Sequence, residues 1–185
     1  LDQALKADLE FNEINLYFQD ESRFGLFTRN GKALTAKGIK PICPFQQVFK
    51  NLWLFGAFSP ITGDRFLLEM PHCNTVNFQH FLEEFSKERP EEYKIIVLDN
   101  GAFHKAKILK IPKNVGLIFL PPYSPELNPA EKIWANLKRK FTNKFCKNLA
   151  DVSLFITESI NSLDKELIQK TCNYEYVLST LNWTI

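Results

Sequence analysis

Three carboxylates, Asp20, Asp99 and Glu131, occupy positions at which a folded chain can hold a metal ion. Glu131 belongs to the run Leu120-Pro121-Pro122-Tyr123-Ser124-Pro125-Glu126-Leu127-Asn128-Pro129-Ala130-Glu131-Lys132-Ile133-Trp134. The prolines stiffen the approach to a helix, Asn128 is a good N-cap, Pro129 suits the first helical position, and Glu131 then falls at N3. Two readings are open for this glutamate: a capping box, in which Asn128 and Glu131 satisfy each other's orphan amides, or one corner of a metal site. Asp20 and Asp99 close two strand-like runs, Ile14 to Asp20 and Tyr93 to Asp99. Period-two alternation puts Ile14, Leu16, Phe18 and Asp20 on one face, where an unpaired carboxylate is costly. The second run is continuously apolar, as in a central strand buried on both faces, and its acid lies at the carboxyl end, where open α/β sheets bind ligands. Either aspartate alone also reads as a turn residue before Glu21 or Asn100. Together, the acids would repel one another unless they bound a cation, and all-oxygen ligands favour Mg²⁺ or Mn²⁺ over zinc or copper.

The elements that must position these acids follow from pattern. After a strand over 14–20, a polar connection passes Gly25, Gly31 and Gly38 and leaves room for an irregular hairpin. Val48 to Phe58 and Arg65 to Met70 form a hairpin around the turn Ser59-Pro60-Ile61-Thr62-Gly63-Asp64. Val76, Phe78, Phe81, Leu82 and Phe85 recur at helical spacing between Asn74 and Lys87. A strand ends at Asp99, a short helix is expected after His104, and Val115 to Leu120 makes the fifth strand. Asp151 to Lys170 reads as one appended helix with Val152, Phe155, Ile156, Ile160, Leu163 and Leu167 inward, and the tail to Ile185 is open between helix and extended chain. The expected fold class is α/β, a mixed five-stranded sheet flanked by helices with an appended C-terminal helix.

At about 100° per residue, Ile133, Trp134, Leu137, Phe141 and Phe145 share an arc of about 120° that packs on the sheet, and Glu131 projects about 40° beyond its edge. Lys132, Arg139 and Lys147 gather opposite. From Lys132 to Ala150 there is no acid, whereas Lys132, Lys138, Arg139, Lys140, Lys144 and Lys147 are basic. Lys132, Lys138 and Arg139 are therefore candidates for DNA phosphate contact, against the alternative of a solvated face. Glu83, Glu84, Glu88, Glu91 and Glu92 form an acidic patch expected to stay away from DNA.

With 185 residues, 45% of them hydrophobic, and a net charge of +2, the chain reads as a single domain over 1–185 whose charge alone names no partner. Cys43, Cys73, Cys146 and Cys172 lack the paired spacing of zinc or redox motifs, so reduced thiols are expected. Of His72, His80 and His104, only His104 lies near a candidate site, where it either approaches a phosphate or caps a short helix. No apolar stretch is long enough to span a bilayer and nothing resembles a signal sequence, which implies an intracellular protein.

The segments Phe18-Gln19-Asp20-Glu21-Ser22, Leu98-Asp99-Asn100-Gly101-Ala102-Phe103-His104-Lys105-Ala106 and Leu120 to Trp134 together resemble the catalytic domain of mariner-superfamily transposases, in the bacterial insertion-sequence branch with an Asp-Asp-Glu triad. The resemblance runs from about Asn15 to about Lys140, and its third segment is the most specific. It implies an RNase H-like fold with Asp20, Asp99 and Glu131 as catalytic metal ligands and Glu21, Asn100 and His104 as accessory candidates. It further implies two Mg²⁺ ions, with Mn²⁺ as substitute, and hydrolysis at the ends of a DNA element. Transfer of the freed 3′-hydroxyl into target DNA at TA follows, in a homo-oligomeric complex within the bacterial cytoplasm and nucleoid. Ala130 replaces a larger aliphatic residue of the family, and the Asp99 to Glu131 interval is shorter than in animal members. Family members carry helix-turn-helix domains ahead of the catalytic domain, whereas only Leu1 to Glu13 precede the first strand here, so that module is expected to be absent. Two other classes compete: a non-catalytic DNA-binding or assembly module derived from a transposase, and an RNase H-like nuclease of another kind.

Overall fold

The computed structural model describes residues 11–28, 31–32, 34–42 and 44–174. Cys43 and the tail from residue 175, both subjects of sequence expectations, lie outside the described residues. Strands β1 (Glu13–Gly25), β2 (Asn51–Phe58), β3 (Arg65–Met70), β4 (Glu92–Leu98) and β5 (Val115–Phe119) form one mixed sheet in the order β3-β2-β1-β4-β5. Its helices are α1 (Thr75–Lys87), α2 (Ala130–Phe141), α3 (Leu149–Asn161) and α4 (Lys165–Cys172).

The central strand β1 serves two neighbours along different halves. Glu13 to Phe18 pair in parallel with Glu92 to Val97, and Phe18 to Gly25 pair antiparallel with Asn51 to Phe58. The expected strand end at Asp20 is therefore wrong: β2 carries β1 on to Gly25, and what stops near Asp20 is its other neighbour, β4. Continuing the register two residues beyond Phe18 opposite Val97 sets Asp20 beside Asp99. The sheet opens between two carboxylates.

Alternation along β1 and β4 sorts side chains into two cores. Phe18, Phe24 and Val97 face α2, α3 and α4, while Tyr17, Ile96 and Leu98 face α1. Asn74 caps α1 by accepting from the Asn77 N–H at 2.9 Å, and Phe78, Phe81, Leu82 and Phe85 are buried beneath it, although Val76 is exposed. In the β2–β3 turn, Gly63 takes φ 70° with the Lys165 carbonyl only 2.4 Å from where a Cβ would sit, so glycine alone fits there. The connection from Leu26 to Lys50 holds hairpin-like backbone bonds, Leu26 N–H to Lys50 O at 3.0 Å and Thr28 N–H to Gln46 O at 3.1 Å.

Three further expectations need correction. The link between β4 and β5 contains only a short 3-10 helix, Ala102–Lys105, which includes His104 instead of following it. The appended helix is two helices, because Asp164 caps a new start by accepting from the Leu167 N–H at 2.7 Å. Val152, Ile156 and Leu163 are buried as expected, Phe155, Ile160 and Leu167 pack partly buried against the same core, and Ile168 is buried as well. Finally, α2 stops at Phe141, beyond which Asn143 adopts φ 65°, so Phe145 leaves the apolar arc and is half exposed.

At the end of the sheet remote from Asp99, Glu92 is buried and not part of a solvated acidic patch. Tyr17 Oη donates to its Oε1 at 3.0 Å, Arg89 Nη1 to its Oε2 at 3.3 Å, and the buried Lys94 ammonium lies 3.6 Å from Oε1. Lys94 interrupts the supposedly apolar run of β4 and is tolerated because Nζ also donates to the Arg89 carbonyl at 2.9 Å.

Candidate active site

Asp20, Asp99 and Glu131 line one cleft of about 520 Å³, walled on one side by Pro121, Pro122 and Pro125. A larger groove of about 730 Å³ runs along the β5 edge past Lys105, Lys107 and Lys113, but no carboxylate lines it. The smaller cleft is thus the one equipped for cation chemistry.

Asp20 faces α2, with the parity of Phe18. Its Oδ2 is buried without a hydrogen-bond partner. Burial, then the charges of Glu131, Glu21 and Asp99, push its pKa up to about 8, against a hydrogen bond from the Glu21 backbone. An orphaned buried oxygen surrounded by negative charge is the environment that a hard divalent cation relieves.

Two features bring Glu131 to this face. Asn128 is buried; its Nδ2 donates to the Gln19 carbonyl at 2.9 Å and its Oδ1 accepts from the Ala130 N–H at 3.1 Å. The helix start is thereby tied to the residue preceding Asp20. One turn later, Trp134 packs edge-on to Phe58 at 5.3 Å and over Gly56, the residue paired with Asp20 across β1 and β2. The capping box does not form, because the Asn128 N–H already donates to the Pro125 carbonyl at 2.9 Å. Glu131 is exposed at the cleft instead.

Asp99 is held from the other side. Its Oδ1 accepts from the Gly101 N–H at 2.8 Å and lies 2.8 Å from His104 Nδ1, whose Nε2 is 3.0 Å from Glu21 Oε1. Burial pulls the His104 pKa down, but hydrogen bonds to Asp99 and Glu21 outweigh it and hold the ring up at about 9. Each ring nitrogen faces a carboxylate, which a doubly protonated imidazolium satisfies. The His104 hydrogen bond, opposed by burial and helped by the Gly101 N–H, holds the Asp99 carboxyl below its usual range. His104 thus neither approaches the cleft as a free base nor caps a helix. Glu21, of opposite parity to Asp20, points toward α1 and is linked by hydrogen bonding to Asp99 through His104. Asn100 donates from Nδ2 to the Leu120 carbonyl and accepts from Lys105 Nζ, joining the ends of β4 and β5.

Among the described residues, no three histidine, cysteine or acidic side chains already surround a point that could hold a metal ion. The acids share a cleft without having closed on it. Asp20 is placed by the sheet and Asp99 by Gly101 and His104, whereas Glu131 is exposed at the cleft.

The basic candidates divide. Lys132 is exposed, with its Nζ 4.1 Å over the Tyr174 ring. Lys138 and Arg139 lie on the outer side of α2, half-buried and exposed respectively. Tyr123, which sequence reasoning passed over, stands fully exposed on the cleft lip with φ 60°. An aromatic residue between prolines was its only signal in the sequence, and its left-handed backbone is visible only in the structure. Cys73, Cys146 and Cys172 are free thiols. No helix among the described residues is long and apolar enough to cross a membrane.

The family model described as DDE superfamily endonuclease matches residues 15–153. Uncharacterized protein y4pE/y4sA of Sinorhizobium fredii (strain NBRC 101917 / NGR234) is 33% identical over 113 residues, covering 60% of this chain and 84% of that protein. A pre-cleavage Mos1 transpososome is similar with a TM-score of 0.66 and 17% identity, over 85% of this chain and 52% of the Mos1 chain. The Mos1 mariner paired-end complex with Mn gives a TM-score of 0.63 and 18% identity, over 85% of this chain and 51% of the other. The chain spans about half the length of the Mos1 chains it matches. The sheet and its flanking helices form the expected RNase H-like fold, shared with these structures.

Proposed function

The chain belongs to the DDE superfamily endonuclease family, and from that premise we propose that it is the catalytic domain of a mariner-like transposase, hydrolysing phosphodiesters at element ends and transferring the 3′-hydroxyl into target DNA at TA. The observation that carries this reading is the cleft that Asp20, with its orphaned Oδ2, shares with Asp99 and Glu131. These three carboxylates would hold Mg²⁺, with Mn²⁺ as substitute and two ions per site. The chemistry supplied by such ions is Lewis acidity on both sides of the phosphodiester, toward the attacking water and the leaving 3′ oxygen.

The chain's own residues do the positioning. Asp20 would be the deprotonated ligand when an ion is bound, Asp99 is presented by Gly101 and His104, and Glu131 would complete the set from the helix mouth. The proline wall keeps one side of the cleft rigid, and the exposed Tyr123 meets the DNA there. Lys138 and Arg139 bind backbone phosphates without reading sequence. Lys132 contributes less, because it is engaged with Tyr174. Solved Mos1 assemblies are strand-transfer and paired-end complexes, including complexes with Mn and with Mg. In keeping with them, this chain would work on DNA as a homo-oligomer, in the bacterial cytoplasm and at the nucleoid.

Nicking of supercoiled plasmid tests the reading. Mg²⁺ or Mn²⁺ supports nicking, a chelator stops it, and Asp99→Asn abolishes it while leaving the melting temperature near that of the parent. Nicking that persists in chelator, or in Asp99→Asn, contradicts the proposal and favours a non-catalytic DNA-binding module.

A further inference from the structure

Asp99 has two carboxylate oxygens, and the protein occupies one of them twice. Oδ1 takes both the Gly101 N–H and His104 Nδ1, each at 2.8 Å. The ring that reaches it is only 2% exposed and is wedged between Phe78, at 4.4 Å between centroids, and Phe103, at 4.0 Å. Its far nitrogen meets Glu21 Oε1 at 3.0 Å, and that oxygen also accepts from Gln19 Nε2 at 2.7 Å. A Cβ at position 101 would lie 3.0 Å from Asp99 Oδ1 and 3.1 Å from His104 Nδ1, so glycine is what lets the three groups close up.

We propose that His104 is a positioning residue: braced by Glu21 from the opposite face of the sheet, it fixes Asp99 Oδ1 so that Oδ2 is the oxygen offered to the ion. The inference rests on the reading of Asp99 as a metal ligand. It assigns Glu21 a role in metal binding although its carboxylate points away from the cleft. Hydrogen-bonded partners of this kind orient a ligand before the ion arrives, and their loss costs about 10–100-fold in metal affinity.

The test uses the DNA-free chain and its Mn²⁺ dissociation constant, read by electron paramagnetic resonance, with the melting temperature measured on the same samples. An asparagine amide reaches about where Nδ1 stands and can still donate to Asp99. A glutamine amide reaches about where Nε2 stands and can hold only Glu21. His104→Asn, which keeps the bond to Asp99 and gives up only the Glu21 brace, is expected to lower Mn²⁺ affinity less than His104→Gln, which lowers it about 10–100-fold. Thermal stability runs the other way, since asparagine leaves the larger void in the buried site. Glu21→Gln, which retains an acceptor for the ring, binds Mn²⁺ like the parent, and Glu21→Ala binds it more weakly. If affinity in the two His104 variants merely follows their melting temperatures, or is equal in both, His104 is a packing residue and the inference fails. If the parent binds no Mn²⁺ in a manner sensitive to Asp20→Asn, the metal site itself fails and the inference with it.

Discussion

The Asn128 amide donates to the Gln19 carbonyl at 2.9 Å, a bond that ties the start of α2 to the strand residue immediately before Asp20. The same side chain accepts from the Ala130 N–H, so one residue caps the helix and anchors it to the sheet. Asn128→Ala should cost about 1–2 kcal/mol in unfolding free energy, from the lost cap and buried bond. Plasmid nicking should fall much further than that loss implies, because Glu131 is no longer held opposite Asp20. Denaturant melts and nicking rates on the same preparation measure both, and nicking that declines only with the folded fraction would contradict the anchoring role.

Gly56 faces Asp20 across β1 and β2, and a Cβ there would stand 2.7 Å from Trp134 Cη2 and 2.9 Å from Cζ2. Trp134 is buried and packed against Phe58. Gly56→Ala should therefore lift α2, destabilise the fold by about 1–3 kcal/mol through overpacking, and weaken Mn²⁺ binding by displacing Glu131. Adding Trp134→Phe restores space and should recover part of both. A double variant no better than Gly56→Ala would show that the helix does not depend on this notch.

Asp20 ties stability to pH. Its carboxyl is raised from 3.8 to about 8 in the fold, so between those values the folded state keeps a proton that the unfolded chain has lost. Metal-free stability should consequently decrease as pH rises through this range. His104, raised from 6.5 to about 9, adds loss in the same direction at the upper end. Asp99, held low, acts oppositely and only on the acid side, where stability is lost as pH falls through its folded pKa. Because an entering ion displaces the Asp20 proton and relieves the charge, Mn²⁺ should raise the melting temperature more at about pH 8 than at about pH 6. Calorimetry with and without Mn²⁺ measures this, and Asp20→Asn should remove the Mn²⁺ effect and flatten the slope below about pH 6.5, the ordinary value for histidine. A Mn²⁺ increment independent of pH would sink the assignment.

Lys138 and Arg139 should differ from Tyr123 in their response to salt. Replacing both basic residues by alanine should weaken binding to element-end and random DNA alike and flatten the salt dependence, since fewer counterions are released. Tyr123→Ala should weaken binding while leaving the salt slope unchanged, because stacking carries no counterion release. Titrations over a salt series decide it. A steeper loss for end DNA than for random DNA in the Lys138 and Arg139 variant would mean that these residues read sequence.

Much of this was legible because it is local. The alternation Leu16, Phe18, Asp20 put that acid on the face where α2 packs, and the proline-bounded helix mouth located Glu131. What sequence could not supply was pairing. Asp20 looked like a strand end because the acid breaks the apolar pattern, but β2 extends the strand to Gly25 through backbone bonds that pattern does not encode. His104 was visible as a motif residue, whereas its partner Glu21 lies far away in sequence and only the parallel pairing of β1 with β4 unites them. Local chemistry reads Asn128 as the helix cap, with a capping box as one of two alternatives for Glu131, and gives no hint of the long-range bond that its amide makes. In the sequence the run through Lys94 reads as continuously apolar and Glu92 as part of an exposed acidic patch, and the engagement of both with Arg89 and of Glu92 with Tyr17 is evident only in three dimensions.

The central claim is that three carboxylates sharing a cleft close on a divalent ion. A crystal structure of the chain soaked in Mn²⁺, with anomalous scattering used to locate the ion, tests it most directly. The account predicts anomalous density in the cleft with carboxylate oxygens of Asp20, Asp99 and Glu131 at about 2.1 Å, Asp99 contributing Oδ2 while Oδ1 stays on His104. Density elsewhere, or an ion in the cleft that Glu131 does not approach, would contradict it.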